Sequence, residues 1–301
     1  MSAPPARRRL TDRALGERRL ALLLCTPAVL VMAAVTAYPI LYALWLSLQR
    51  YDLRFPNRSA FVGLENYLTV VSSSRWWQAV ANTVLITVVS VLIELVLGML
   101  VALVMHRTIV GRGAVRTSVL VPYGIITVVA AFSWRFAWTP VTGYLVRWLH
   151  LSTDPLTGHG SSMAIIILAE VWKTTPFMSL LLLAGLALVP EELMEAAKVD
   201  GATAWQRFVR ITLPLMKPAI LVAVLFRVMD AFRVFDNIFV LTGGANQTQS
   251  VSILGYDQLF VGLNLGIGSA VSVLIFVIIA LIGLTFIKGF GTAAPGAGSR
   301  R

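Results

Sequence analysis

Six stretches of the chain stay apolar for longer than a soluble helix or strand needs, and shorter charged segments separate them. They run roughly over Leu20–Leu48, Ala79–Met105, Thr117–Trp138, Ser162–Val189, Ala219–Leu241 and Gly266–Ile287. A run of ~18 or more apolar residues reads as a membrane span, because about 20 residues in a helix cross the ~30 Å hydrocarbon core. Each span must be helical, since backbone N–H and C=O groups find no water partner in lipid. The pattern therefore predicts an all-α membrane protein with about six transmembrane helices. The first span carries no charge, and the fifth is the most polar. Two connections are long: an outer loop over residues 49–78, in which Trp76 and Trp77 suit the headgroup interface just before the second helix, and a loop from Pro190 to Pro218.

Composition agrees with the pattern. Only 13% of the 301 residues are charged, against about 25% in a soluble domain. The net charge of +11 informs orientation more than partnership. With the N-terminus inside, sixteen basic residues fall on inner segments, among them Arg7, Arg8, Arg9, Arg112, Arg116, Arg207 and Arg210. Five fall outside: Arg50, Arg54, Arg58, Arg75 and Arg147. That asymmetry places both termini in the cytoplasm of a multi-pass membrane protein, and nucleic-acid binding explains the charge less well. The first apolar run is too long for a secretory signal and reads as an uncleaved anchor. The expected organisation is a basic cytoplasmic tail over 1–19, one permease-like membrane domain over 20–288 and a flexible cytoplasmic tail over 289–301. Cys25 is alone, and His106, His150 and His159 have no metal-type spacing, so no metal site, cofactor or catalytic group is expected in this chain.

The loop over 190–218 is the most informative segment. Pro190 suits a helix start, and Glu191 and Glu192 favour a helix N-terminus through the backbone dipole. Gly201 can adopt the left-handed conformation that closes a helix. A second amphipathic helix is expected from Ala202 to about Thr212, with Trp205, Phe208 and Val209 on one side, stopped by Pro214. Two short helices and a tight bend make a knob, kept narrow by Ala196 and Ala197, around which another protein could close.

The order Glu195-Ala196-Ala197, three residues, Gly201, nine residues, Ile211, one residue, Leu213-Pro214 resembles the EAA loop of permease subunits of binding-protein-dependent ATP-binding-cassette (ABC) importers. Gly63-Leu64-Glu65-Asn66-Tyr67, Asn82-Thr83, Gly98, Val121-Pro122, Trp134-Arg135, Trp172-Lys173, Pro176-Phe177, Phe235-Asp236 and Leu241-Thr242-Gly243-Gly244 resemble sugar permeases of the maltose-transporter membrane-subunit type. One departure is Ala245-Asn246, where relatives often carry Gly-Pro. The resemblance implies a type I importer fold and a coupling set of Glu195, Ala196, Ala197, Asp200 and Gly201 that docks on an ATPase. It implies the partners as well: a second permease, two ATPase subunits that carry ATP and Mg, and an extracytoplasmic sugar-binding protein. Similarity to trehalose importers of mycobacteria and related actinobacteria implies a disaccharide substrate such as trehalose. No phosphate-loop motif is present, so the chain itself is read as a transport subunit rather than an enzyme.

A charge at the centre of a span costs ~2.5–3.5 kcal/mol on insertion scales and needs a partner, a cavity or an interface. Glu94, Arg135, Glu170, Lys173, Arg227, Asp230, Arg233 and Asp236 all raise the question. On a continuous fifth helix Asp230, Arg233 and Asn237 fall within an arc of about 60°, with Arg227 and Asp236 on other sides. Asp230, Arg233 and Asn237, with Trp172 and Lys173, are the substrate-pathway candidates: they offer donors, acceptors and an aromatic face to a sugar, as Trp134 and Trp138 also do. The structural alternative is a pair of i,i+3 ion pairs, Asp230–Arg233 and Glu170–Lys173, with Glu94 and Arg135 as structural or interface groups. Two other functions compete: an autonomous secondary transporter or channel driven through Asp230 or Glu170, and a membrane enzyme or scaffold.

Overall fold

The computed structural model describes residues 7–107 and 111–290. In chain order it has α1 (Arg7–Ser47), a two-stranded antiparallel hairpin β1 (Gln49–Arg50) and β2 (Ala60–Phe61), α2 (Glu65–Ser72), α3 (Ser74–Arg107), α4 (Arg112–Gly124), α5 (Thr127–Ala137), α6 (Tyr144–Trp148) and α7 (His159–Leu186). There follow α8 (Glu191–Val199), α9 (Ala204–Arg207), α10 (Leu213–Ala231), α11 (Asp236–Leu241), α12 (Val251–Tyr256) and α13 (Leu265–Phe290). Among the described residues, five helices are long and apolar enough to span a membrane by themselves, and the pair α4–α5, bent by 85° at its break, passes the same test when its two halves are taken together. The tail expected over 1–19 is helical from Arg7 and continuous with the first span, while residues 1–6 and 291–301 lie outside the described part.

At the centre α3 packs along α7, and α10 closes against both. Their contact is dense because small residues line it: a Cβ on Gly98 would meet the Met178 side chain at 2.8 Å, and one on Gly185 would meet the Ala219 Cβ at 2.6 Å. Met99, Ala102, Met105, Met178, Leu182 and Met216 fill one end of this core. Ile86, Ile166, Ala169, Ile238 and Ile253 fill the other end, with Trp134 and Trp138 packed against them. α1 stands apart and touches mainly α13 and β1, so its apolar surface is open to lipid or another subunit. The loop after α1 is pinned by Asn66, whose amide donates to the carbonyls of Ser47 and Gln49 at 2.8 Å each. On the same loop the Arg54 guanidinium holds the Asp52 carboxyl below its usual range.

Three expectations are corrected. The fifth span ends at Ala231 and not at Leu241; residues 232–235 break it, and α11 is a separate short helix. Pro214 does not stop the helix that leaves the loop: Ala204–Ala231 is one rod. Its backbone widens into a π-turn over Phe208–Thr212, where the Leu213 N–H reaches back to the Phe208 carbonyl, so the turn before Pro214 accommodates the missing donor. The second span starts at Ser74, which puts Trp76 inside the first turns and buried beneath α12 and α13, with Trp77 left exposed.

Replacing Gly185 by Val should force α7 from α10 and cost about 1–3 kcal/mol, as overpacking does. The melting temperature of the purified protein in detergent should fall; an unchanged value would show that the two helices separate freely.

Candidate functional site

Arg227 lies where α3, α7 and α10 meet, and its side chain is fully buried. It binds both carboxylate oxygens of the equally buried Glu94, through Nε and, at 2.9 Å, through Nη2. Nη2 also reaches Glu170 at 3.0 Å, and Nη1 reaches Asp230 at 2.6 Å. Thr174 donates to Glu94 at 2.7 Å, and the Asn237 amide donates to the other oxygen of Glu170 at 2.6 Å. All three carboxylates of this cluster share the one guanidinium, and hydrogen bonds from Thr174 and Asn237 complete the two buried ones. Asp230 is the member that opens outward, its side chain 63% exposed.

Beside the cluster is a cavity of about 560 Å³. Its walls are Tyr123, Ile125, Ile126 and Thr127 at the α4–α5 bend, Glu170, Lys173 and Thr174 on α7, and Asp230, Arg233, Val234, Phe235, Asp236 and Asn237 around the α10–α11 break. Both interruptions of the helical backbone therefore face one polar space. Non-helical backbone at membrane depth is tolerated where it is buried in protein or lines a wet cavity. The break after α10 is satisfied in part by Ser250, whose hydroxyl donates to the Val234 carbonyl at 3.0 Å.

Of the pathway candidates, Asp230, Arg233, Asn237 and Lys173 line this cavity, while Trp172 packs edge-on against Trp134, 6.1 Å between centroids. Because the helix is broken, Asp230, Arg233 and Asn237 do not form a stripe on one helix; Arg227 chelates Asp230, and Asn237 is buried against Glu170. Neither i,i+3 ion pair forms: among the described residues Glu170 pairs with Arg227, and Lys173 donates to backbone carbonyls of the α4 bend. Arg233 and Asp236 reach the cavity without a side-chain hydrogen bond among the described residues, and Asp236 was not a pathway candidate. Arg135 donates to the Val240 carbonyl at 3.0 Å and steadies α11 from α5. Glu94, expected as a structural group, is structural, and its partner was not legible. An intramembrane charge announces that a partner exists and gives no hint of which.

The loop over residues 242–250 is tied to α3. Asn82 donates to the carbonyls of Gln247 (2.6 Å) and Gln249 (3.0 Å), and Thr83 accepts the Val251 N–H at 3.0 Å. Asn246 has φ +53, a conformation closed to proline, so the turn here differs from one built on Gly-Pro. Its amide donates to the Leu156 carbonyl at 2.7 Å.

Between α7 and α10, α8 and α9 form the knob. Gly201 has φ +78 and closes α8, with the Ala202 N–H bonded to the Ala197 carbonyl at 2.9 Å. Thr203 and Gln206 then make a reciprocal capping box that starts α9. Glu195, Ala196, Asp200 and Gly201 are exposed and Ala197 is half-buried; Val199 and Trp205 present apolar surface beside them.

A multi-pass helical bundle with a polar cavity at two helix breaks and an exposed helical knob at one end is the architecture of a transport subunit. The chain belongs to the family described as "Binding-protein-dependent transport system inner membrane component", whose model matches residues 67–292. It is 63% identical over 286 residues to the trehalose transport system permease protein SugA of Mycobacterium tuberculosis, covering 95% of this chain and 93% of that one. It is 40% identical over 279 residues to the trehalose/maltose transport system permease protein MalF of Thermococcus litoralis, covering 90% and 94%. Among solved structures it resembles a chain of a bacterial ABC transporter involved in the import of the acidic polysaccharide alginate, with TM-score 0.79, 25% identity, and 95% and 99% of the two chains covered. The protein is thus the permease subunit of an ABC importer, a transport subunit and not an enzyme, and the autonomous-transporter reading falls.

Arg227→Met should destabilise the protein by about 3–5 kcal/mol, because Glu94 and Glu170 are left buried and uncompensated. The double variant with Glu94→Gln should lose less than the two single losses together. Thermal unfolding of the purified single and double variants checks this; strict additivity would mean the two residues do not share an interaction.

Proposed function

We propose that this chain forms half of the membrane channel of a trehalose importer, with both termini in the cytoplasm and the sugar passing through the cavity beside Arg227. The observation that carries the reading is the cavity itself, where two broken helices bring charged groups and unwound backbone to one place inside an apolar bundle. Trehalose is the sugar named for relatives 63% and 40% identical to the chain. Arg233 and Asp236 supply donors and a carboxylate acceptor to sugar hydroxyls, next to Asp230, Asn237 and Lys173.

The exposed knob is the coupling element in this reading. Glu195 and Asp200 meet the ATPase, Ala196 and Ala197 allow close approach, and Gly201 sets the bend. Two ATPase subunits, with ATP and Mg, supply the power, a second permease completes the pathway, and an extracytoplasmic binding protein delivers the sugar. The rod Ala204–Ala231, about 42 Å long at ~1.5 Å per residue, runs from the knob to Asp230 at the cavity. Displacement of the knob is thereby carried as a rigid-body movement to the cavity wall, which is what alternating access requires.

The test is to purify the chain with its partners and measure sugar uptake in proteoliposomes. ATP-dependent uptake of trehalose is expected, with the ATPase lost from the Glu195→Lys complex and the second permease kept. Retention of the ATPase would remove Glu195 from coupling, and absence of trehalose uptake would overturn the substrate. Arg233→Ala should raise the uptake KM by about 10- to 100-fold, the equivalent of ~1.5–3 kcal/mol for a lost charged hydrogen bond.

A further inference from the structure

Lys173 points toward the cavity, yet its ammonium is already engaged. Its Nζ donates to the carbonyls of Ile125 (2.5 Å), Tyr123 (3.4 Å) and Pro122 (3.5 Å), and it lies 5.9 Å from the centre of the Tyr123 ring. An ammonium has three donors, and three acceptors meet it. Those carbonyls belong to the last turn of α4 and the residue beyond, where a helix leaves C=O groups without partners. The chain cannot supply them from α5, which departs at 85°. One turn farther along α7, Phe177 stacks on Tyr123 at 5.4 Å, so the same face of α7 grips the end of α4 twice. Lys173 itself is only 8% exposed. Arg233, across the cavity, has no such engagement among the described residues.

We propose that Lys173 is a positioning residue for transport: it closes the open carbonyl end of α4 and so holds the turn whose backbone forms one wall of the cavity. This role rests on the reading of that cavity as the sugar path. A sugar hydroxyl approaching the ammonium would have to displace a carbonyl for which the described residues offer no other partner, so the wall is what Lys173 contributes and the groups opposite it take the sugar. Two properties of the side chain matter: a charge that satisfies several carbonyls at once, and a stem long enough to cross from α7 to α4. Arginine keeps both, and methionine keeps only the stem.

The test uses the assembled transporter in lipid nanodiscs and proteoliposomes, with Cys25→Ser as background and spin labels at Ser118→Cys on α4 and Ser133→Cys on α5, both exposed. The interspin distance reads the bend, and trehalose uptake reads function. Lys173→Met is expected to lengthen and broaden the distance and to raise the uptake KM by roughly 10- to 100-fold, the scale of loss when a site is misplaced by about 1 Å. Lys173→Arg is expected to restore both. A raised KM with an unchanged distance would mean that Lys173 touches the sugar itself, and would overturn the proposal; so would no change in either. A changed distance with unchanged KM would leave the hold on the bend standing and remove the cavity from the sugar path. Should Lys173→Met fail to assemble, Lys173→Gln, which keeps a shorter donor, is read the same way, with an unchanged distance again overturning the proposal.

Discussion

The rest of the structure depends on the ion cluster around Arg227. A guanidinium cannot give up its proton, so at membrane depth it must be met by carboxylates. Glu94 comes from α3, Glu170 from α7 and Asp230 from the same helix as Arg227. Because Arg227 presents a planar fork, the three carboxylates are fixed in angle as well as distance, and so are the helices that carry them. Asn237 extends the arrangement to α11 by holding the second oxygen of Glu170. Such a cluster adds little net stability over an apolar core of the same volume. What it specifies is one register among helices whose apolar faces could slide past each other.

The cavity follows from that register. With α3, α7 and α10 locked, the two breaks at 125–126 and 232–235 are brought to one space, and side chains reach loose backbone carbonyls at both. Lys173 meets the carbonyls of the first break, and Ser250 meets the Val234 carbonyl of the second. The loop of left-handed residues that follows α11 is tied to α3 by Asn82 and Thr83. The rod that begins at the knob runs to Asp230 at the cavity wall.

The local chemistry of the knob was legible because it is local. Gly201 in the left-handed region and the acidic start of α8 are set within a few residues, and short-range preferences decide them. Pro214 shows the limit of that reasoning. Proline normally ends a helix, but a π-turn just before it widens the backbone, and the helix continues to Ala231. Lys173 shows the same limit from the other side. As a residue type in a span it looks like a ligand for a polar substrate, and only the arrival of the α4 carbonyls reveals that its donors are already used.

The sequence by itself determined about how many helices are apolar enough to span a membrane, the knob and its bend, and the family, since each is written in composition, periodicity or a motif with fixed spacing. It also determined that several charges lie inside the bundle and require partners. Tertiary structure alone decided which partners: Glu94 and Arg227 are 133 positions apart, and no local rule links them. It decided too that the third span bends and the fifth breaks, because both departures from the helix are stabilised by side chains that arrive from other helices. The helical pattern is a property of neighbours along the chain; the cavity is a property of neighbours in space.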